Sequence, residues 1–159
     1  MIRSGLGFDL HPLVAGRPLI LGGVEVPAPL GLGGHSDADV LSHAVGEAML
    51  GALALGDLGR LFPDTDPRYR GVSSLMLLRA VMERMRERGG RLVNVDATVI
   101  CQSPQLAAYL PEMASRIATA LGLAPGRVSV KAKSPERLGL LGREEGIAAM
   151  AVVAVEADD

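Results

Sequence analysis

The chain reads as an α+β sandwich: a mixed sheet of four core strands with helices on one face. Three observations carry this. Residues 2–11 alternate, with Leu6, Phe8 and Leu10 on one side and Gly5, Gly7, Asp9 and His11 on the other. Residues 147–156, IAAMAVVAVE, are almost continuously apolar, as a strand buried on both faces is. Between them, helix-periodic segments alternate with strand-like ones.

Taken in order, a strand at 2–11 is followed by a second near 18–22 and by a Pro- and Gly-rich loop at 27–35. Ser36-Asp37-Ala38-Asp39 resembles a capping box with Asp in place of Glu, which predicts a helix from there to about Leu53. Its apolar stripe is Leu41, Val45, Ala48, Met49 and Ala52. Residues 56–71 hold two prolines and three acids and read as a long ordered loop. A second helix opens at Ser73 or Ser74 and stops at Gly89-Gly90, with Arg84, Arg86 and Arg88 in its last turns, where cations suit the helix dipole. Residues 91–101 form a strand with Val93, Val95, Ala97, Val99 and Cys101 on one side. Pro104 starts a helical stretch to about Leu121, broken or restarted at Pro111. Val128, Val130 and Ala132 mark a further strand before the last one. Three helices cover only one sheet face. The apolar final strand predicts that the other face is buried against further copies of the chain, in a homo-oligomer.

The 159 residues fit one domain, 1–159, around one core. Sixteen Lys and Arg against eighteen Asp and Glu leave a net charge of −2 and a pI near 5.9, which excludes a strongly basic nucleic-acid binder. With two Tyr, two Phe and no Trp, aromatic stacking on bases is not the main business. A single cysteine forms no internal disulfide, the N-terminus has no signal-peptide run and no stretch approaches the ~18 apolar residues of a membrane span. The expectation is a cytoplasmic protein working away from membranes.

The chemistry concentrates in the histidines. Asp9 and His11, two apart on a strand, project to one face, and the small Gly5 and Gly7 beside them are expected to leave room. His43 lies about two turns into the first helix. One carboxylate and two imidazoles suit Zn²⁺ and leave a fourth position open, with about +1 net charge to hold a phosphate oxygen. Taken alone, an Asp-x-His pair is more often a solvated surface pair. The company of Asp39 and Glu47, at i−4 and i+4 from His43, strengthens the metal reading, since either could take the second ring N–H. Ser36 reads as the helix N-cap, and a phosphate could share that turn with His35 and Ser36. Lys131, Lys133, Arg137 and Arg143 crowd a turn with Ser134 and Glu136. That turn is either a solvated charged loop or a seat for a diphosphate and its divalent counter-ion.

These residues add up to a resemblance. GFDLHPL at 7–13, LGG at 21–23, GHSDADVLSHAV at 34–45, LGDLGRLFPDTDPRYRG at 55–71, NVDATVI at 94–100, QSP at 102–104 and VKAKSPERLGLLGREEGIA at 130–148 resemble the 2-C-methyl-D-erythritol 2,4-cyclodiphosphate synthases of the non-mevalonate isoprenoid pathway. The match covers nearly the whole chain in family order, and the combination of DxH, HSDxDxxxH and GDxGxxFPDTDP is highly specific.

The resemblance implies a homotrimer with active sites between subunits. It implies Zn²⁺ on Asp9, His11 and His43, and Mg²⁺ or Mn²⁺ on Glu136. The implied substrate is the cytidine diphosphate-linked 4-diphosphocytidyl-2-C-methyl-D-erythritol 2-phosphate, cyclised with release of CMP. His35 and Ser134 match positions that act on the phosphates. Leu10, Ser36, Asp57, Leu58, Gly59 and the loop Phe62, Pro63, Asp64, Thr65 and Asp66 match the substrate region, beside the zinc ligands. Cys101, Gln102, Ser103, Pro104, Gln105, Leu106 and Ala107, joined by Ala132, Lys133 and Ser134, match a cytidine pocket. Leu140 and Arg143 match a cavity on the trimer axis. The chain departs from the family pattern at Lys133, Ser134 and Pro135, where threonines are usual. It also departs at Leu140 for an aromatic, Glu47 for Asp and Gln105 for Lys.

Overall fold

We describe the fold from a computed structural model, whose described residues are 1–158. The first long strand, β1 (Ile2–Val14), leads into a small antiparallel ribbon, β2 (Leu19–Leu21) and β3 (Val24–Val26), and a two-residue strand, β4 (Gly31–Leu32). Helix α1 (Val40–Ala52) and the single turn α2 (Leu58–Leu61) follow, then a 3-10 turn at Pro67–Tyr69 and helix α3 (Ser74–Glu87). The second half holds β5 (Gly90–Ile100), α4 (Leu110–Leu121), β6 (Val128–Lys133), the short α5 (Gly139–Gly142) and β7 (Gly146–Ala157).

The main sheet runs β4-β1-β7-β5-β6. It is mixed, as expected: β7 pairs antiparallel with both β1 and β5, whereas β5 and β6 are parallel and need α4 as their crossover. The four long strands are the expected core, and β4 adds a two-residue edge beside Leu13 and Val14. The predicted strand near 18–22 lies outside this sheet. It pairs with 24–26 through the Gly22-Gly23 turn, where both glycines take positive φ.

Helices α1, α3 and α4 lie on one face of the sheet. Helix α1 is buried all round except for His43, Glu47 and Gly51, one stripe at i, i+4 and i+8. It sits directly on β1 because Gly5 and Gly7 have no side chains. A Cβ on Gly5 would come within 1.9 Å of the Ala48 carbonyl oxygen, and one on Gly7 within 2.0 Å of that of Ala44. The room those glycines leave is therefore filled by the helix backbone, not by a ligand.

Three local expectations are corrected. Asp39, not Ser36, caps α1. Its fully buried carboxylate accepts from the N–H groups of Ser42, Gly22 and Gly23 and from the Ser42 hydroxyl, at 2.7–3.0 Å. A bulge between Leu92 and Asn94 shifts the register of β5, so Leu92, Val95, Ala97 and Val99 are its buried side chains and Val93 is not among them. Pro104 starts no helix: a 3-10 turn at Ala107–Tyr109 leads into α4, which carries Pro111 in its first turn, where the missing N–H costs nothing, and ends on Gly122 in the left-handed region.

The last strand departs from double burial within one chain. Ile147, Ala149, Ala151, Val153 and Val155 are buried under the helices, while Met150 and Val152 are exposed. With Leu6, Phe8 and Leu10 of β1 they make the outer sheet face apolar. No helix among the described residues is long and apolar enough to cross a membrane.

Candidate active site

Strand β1 and helix α1 bring the expected trio together. Asp9 Oδ2 is 3.0 Å from His11 Nε2 and 3.0 Å from His43 Nδ1, and the two ring nitrogens are 3.1 Å apart. The three half-buried groups form the one metal-ligating cluster found among the described residues. Atoms this close can all touch one ion at ordinary Zn–N and Zn–O lengths of about 2.0–2.2 Å.

The hydrogen bonds behind the rings show which atoms are free to ligate. His11 Nδ1 faces the Gly33 carbonyl oxygen at 2.8 Å. A carbonyl only accepts, so Nδ1 carries the proton and Nε2 turns a lone pair toward Asp9 and His43. His43 Nε2 faces the Ser74 hydroxyl at 2.8 Å and that of Ser36 at 3.2 Å. The Ser74 hydroxyl donates its own proton to Asp37 Oδ1, so it accepts from His43, whose Nδ1 is then left with the lone pair. An acceptor carboxylate and two lone pairs converging on one point fit a cation.

Without an ion, the same cluster of acceptors attracts a proton instead. Burial would raise the Asp9 carboxyl, but the hydrogen bonds and charges of His11 and His43 outweigh it and hold Asp9 well below the usual carboxylate range. Burial would lower His11, yet the Asp9 hydrogen bond and charge leave it raised. Glu47 is pushed up, chiefly by burial, despite accepting from the Leu58 N–H at 3.0 Å.

The trio opens into a cavity of about 470 Å³. It is lined by Gly34, His35 and Ser36 from the turn before α1, by Glu47 of α1, by Leu58 and Gly59 of α2, by Phe62, Pro63, Asp64 and Tyr69 of the following loop, and by Leu77 of α3. His35 Nε2 donates to the Asp66 carbonyl at 2.9 Å, tying the 62–66 loop to the 34–36 turn. The Asp66 carboxylate is engaged by Arg68, and the Asp57 carboxylate caps α2 by accepting from the Arg60 N–H at 2.8 Å. Leu10 points to the opposite, outer face of the sheet and is exposed, and Thr65 does not line the cavity.

A second group of expected residues gathers elsewhere. Cys101 donates its backbone N–H to the Lys133 carbonyl at 3.0 Å, and Gln102 Oε1 accepts from the Arg137 N–H at 2.8 Å, so 101–107 and 132–137 form one locus. Ala132, Lys133, Ser134 and Glu136 are exposed there, at the edge strand β6. The register puts Ile100 opposite Ala148 and Leu10 opposite the same residue, so this locus and the trio share one end of the sheet. Two to three strand spacings, roughly 10–15 Å, separate them, and a single chain does not join them in one cavity. Cys101 is buried and donates to the Ser103 carbonyl. Burial pushes its thiol up to about 11, so it is not a nucleophile. Leu140 is exposed on α5, and Arg143 pairs with Glu145 at 2.8 Å.

Neither Asp39 nor Glu47 takes the second ring N–H of His43, because one caps α1 and the other accepts from Leu58. Ser74 and Asp37 are what sequence reasoning missed. Ser74 stands 31 residues from His43, and no local spacing connects them.

The profile of the YgbB family matches residues 2–156. The chain belongs to the YgbB family. Other members include the 2-C-methyl-D-erythritol 2,4-cyclodiphosphate synthase of Dechloromonas aromatica (strain RCB), 59% identical over 97% of this chain and 96% of that protein. The protein of the same description from Geobacter sulfurreducens is 57% identical over 98% and 99%. Among solved structures, the Plasmodium falciparum IspF–CDP complex superposes with a TM-score of 0.85 at 30% identity, covering 99% of this chain and 97% of that one. The bifunctional IspDF of Campylobacter jejuni gives 0.95 at 43% identity, covering all of this chain and 43% of that longer one. This YgbB chain thus carries its Asp9–His11–His43 cluster on a fold shared with a protein solved as a CDP complex.

Proposed function

We propose that this chain cyclises 4-diphosphocytidyl-2-C-methyl-D-erythritol 2-phosphate to 2-C-methyl-D-erythritol 2,4-cyclodiphosphate, releasing CMP, as a phosphorus–oxygen lyase of isoprenoid precursor synthesis in the cytoplasm. The observation that supports it is the convergence of Asp9 Oδ2, His11 Nε2 and His43 Nδ1 in the lining of a cavity large enough for a small phosphorylated sugar. The curated relatives that match over nearly their whole length bear the name of this activity.

The reaction is an intramolecular phosphoryl transfer. A 2-phosphate oxygen forms a bond to the β-phosphorus. The bond from that phosphorus to the oxygen bridging the α-phosphate breaks, and CMP leaves with the electron pair. The attacking oxygen is already anionic, so no general base is needed. The obstacle is repulsion: two unit charges at 4 Å cost about 1 kcal/mol in water and several times that in a drier site. Zn²⁺ held by the trio would supply Lewis-acid neutralisation of a phosphate oxygen. Ser36 and His35, which both line the cavity, contact the phosphates in this reading, while Leu58, Gly59 and the 62–64 loop enclose the sugar. Holding the chain bent supplies up to about 7–11 kcal/mol.

The locus at 101–107 and 132–136, with Ser134 and Glu136, is read as the cytidine diphosphate seat and the second, Mg²⁺ or Mn²⁺, site. It completes the cavity of a neighbouring copy in a homotrimer. Two observations support this: the locus lies outside the cavity of its own chain, and the outer sheet face is apolar.

Phosphorus NMR of the purified protein with this substrate, Zn²⁺ and Mg²⁺ is the test. The expected products are a cyclic diphosphate and CMP, and His43→Ala should lower the rate by roughly 100-fold or more. Inorganic phosphate as the product would make the chain a zinc phosphoesterase instead.

A further inference from the structure

A metal-bound imidazole needs its other nitrogen held, or the ring swings and the wrong tautomer competes. For His11 the Gly33 carbonyl does this, from just past the end of β4, the edge strand paired with β1. For His43 the partner comes from a helix. Ser74, the first residue of α3, is buried to 1% exposure, and its hydroxyl sits 2.8 Å from His43 Nε2.

A hydroxyl is ambiguous on its own, because it can donate or accept. Here Asp37 removes the ambiguity. Its Oδ2 accepts the Ser74 backbone N–H at 3.0 Å and its Oδ1 accepts the Ser74 hydroxyl proton. The carboxylate thus grips Ser74 at two atoms and uses up its only side-chain proton. Asp37 is itself fixed in the turn before α1 by the Asp39 N–H, at 3.1 Å on Oδ1, and by its own N–H donated to the Val72 carbonyl at 3.0 Å. Ser73, which precedes α3, makes no side-chain cap, so Asp37 is the carboxylate that meets the start of that helix.

We propose that Asp37 and Ser74 are positioning residues for the metal centre. Asp37 orients the Ser74 hydroxyl as an acceptor, which keeps the proton on His43 Nε2 and the lone pair of Nδ1 aimed at the ion shared with Asp9 and His11. This rests on the metal reading of that trio. It extends the site to two residues that touch neither the ion nor the cavity, and it makes the docking of α3 on the 34–39 turn a condition for metal affinity. Ser36, 3.2 Å from the same nitrogen, is engaged by the Ala38 N–H and faces the cavity, so its proton stays available to a ligand.

The test uses the full-length protein in its native assembly. Zinc affinity is measured by chelator competition for the wild type, Ser74→Ala and Asp37→Asn, with the metal-free melting temperature of each as a control for folding. Loss of a partner of this kind costs about 10–100-fold in metal affinity. That loss is expected for Ser74→Ala and a smaller one for Asp37→Asn, which keeps an acceptor oxygen toward the hydroxyl. In parallel, cadmium-113-loaded wild type labelled with nitrogen-15 histidine reports which ring nitrogen bears the metal. Coupling to Nδ1 of His43, with a slowly exchanging proton on Nε2, is expected. With three histidines in the chain the signals are assignable by single substitutions. Coupling to Nε2 overturns the proposal whether or not the variants fold. So does a folded Ser74→Ala that binds zinc within about twofold of wild type. A wild type that takes up no zinc overturns the metal reading itself, and the relay with it.

Discussion

Asp9, His11 and His43 illustrate how one cluster answers differently to protons and to metal. His11 is raised above its ordinary 6.5, so the folded protein holds that proton more tightly than the unfolded chain. Its contribution to stability is complete below pH 6.5 and fades as pH climbs through the raised value. Asp9 is lowered, so its contribution is present above the ordinary 3.8 and is lost only on strong acidification. Metal-free protein should therefore lose this part of its stability on going from mildly acidic to alkaline pH. Zinc reverses the trend, because it needs both imidazoles unprotonated. The melting-temperature gain on adding zinc should grow from pH 6 to pH 8, and a gain that shrinks over that range would contradict metal binding at these nitrogens.

Between elements, the decisive contact is α1 on β1, and its glycines separate two meanings of the same residue. Gly7 admits the helix backbone, so Gly7→Ala drives a methyl into the Ala44 carbonyl and forces the layers apart. A loss of about 1–3 kcal/mol or more is expected in denaturant unfolding. Gly51 lies near the end of α1, exposed, with nothing nearer than 3.9 Å to an added Cβ. Gly51→Ala should stabilise by up to about 0.5–1 kcal/mol through helix propensity alone. Equal effects of the two substitutions would show that the close approach is unimportant. The strands at 2–11, 91–101, 128–132 and 147–156 and the three main helices were legible in the sequence, because alternation and 3.6-residue periodicity reflect burial directly. The α1 cap was not. Ser36 and Asp39 are both good cap residues, and the choice fell to Asp39 because the Gly22-Gly23 turn offers it two further N–H donors from 16 and 17 residues away. The bulge in β5 was equally silent, since it is a mismatch with β7 rather than a property of β5.

For the molecule as a whole, the outer sheet face sets the terms. Leu6 is 64% exposed, Phe8 56% and Val152 48%, side by side on the neighbouring strands β1 and β7. An apolar face of that kind on an otherwise well-patterned chain supports the proposed homotrimer, in which copies of the chain would cover it. Light scattering should give three times 16.5 kDa. Phe8→Asp, which places a charge at the middle of that face, should shift the protein toward 16.5 kDa and remove activity along with assembly. A wild type that runs as a clean monomer at full activity would refute a site shared between subunits.

Short-range pattern in the sequence was enough for the layer architecture, for the Asp9–His11–His43 cluster and for the family, because each is written in residue types at close spacing: DxH on a strand, HSDxDxxxH into a helix, GDxGxxFPDTDP in a loop. Which proton each histidine keeps, and hence which nitrogen is free for a metal, came only from folding. Those answers depend on Gly33, Ser74 and Asp37, residues whose approach to the rings follows from α1, α3 and β1 packing together over separations of 22 to 37 positions, where periodicity carries no signal.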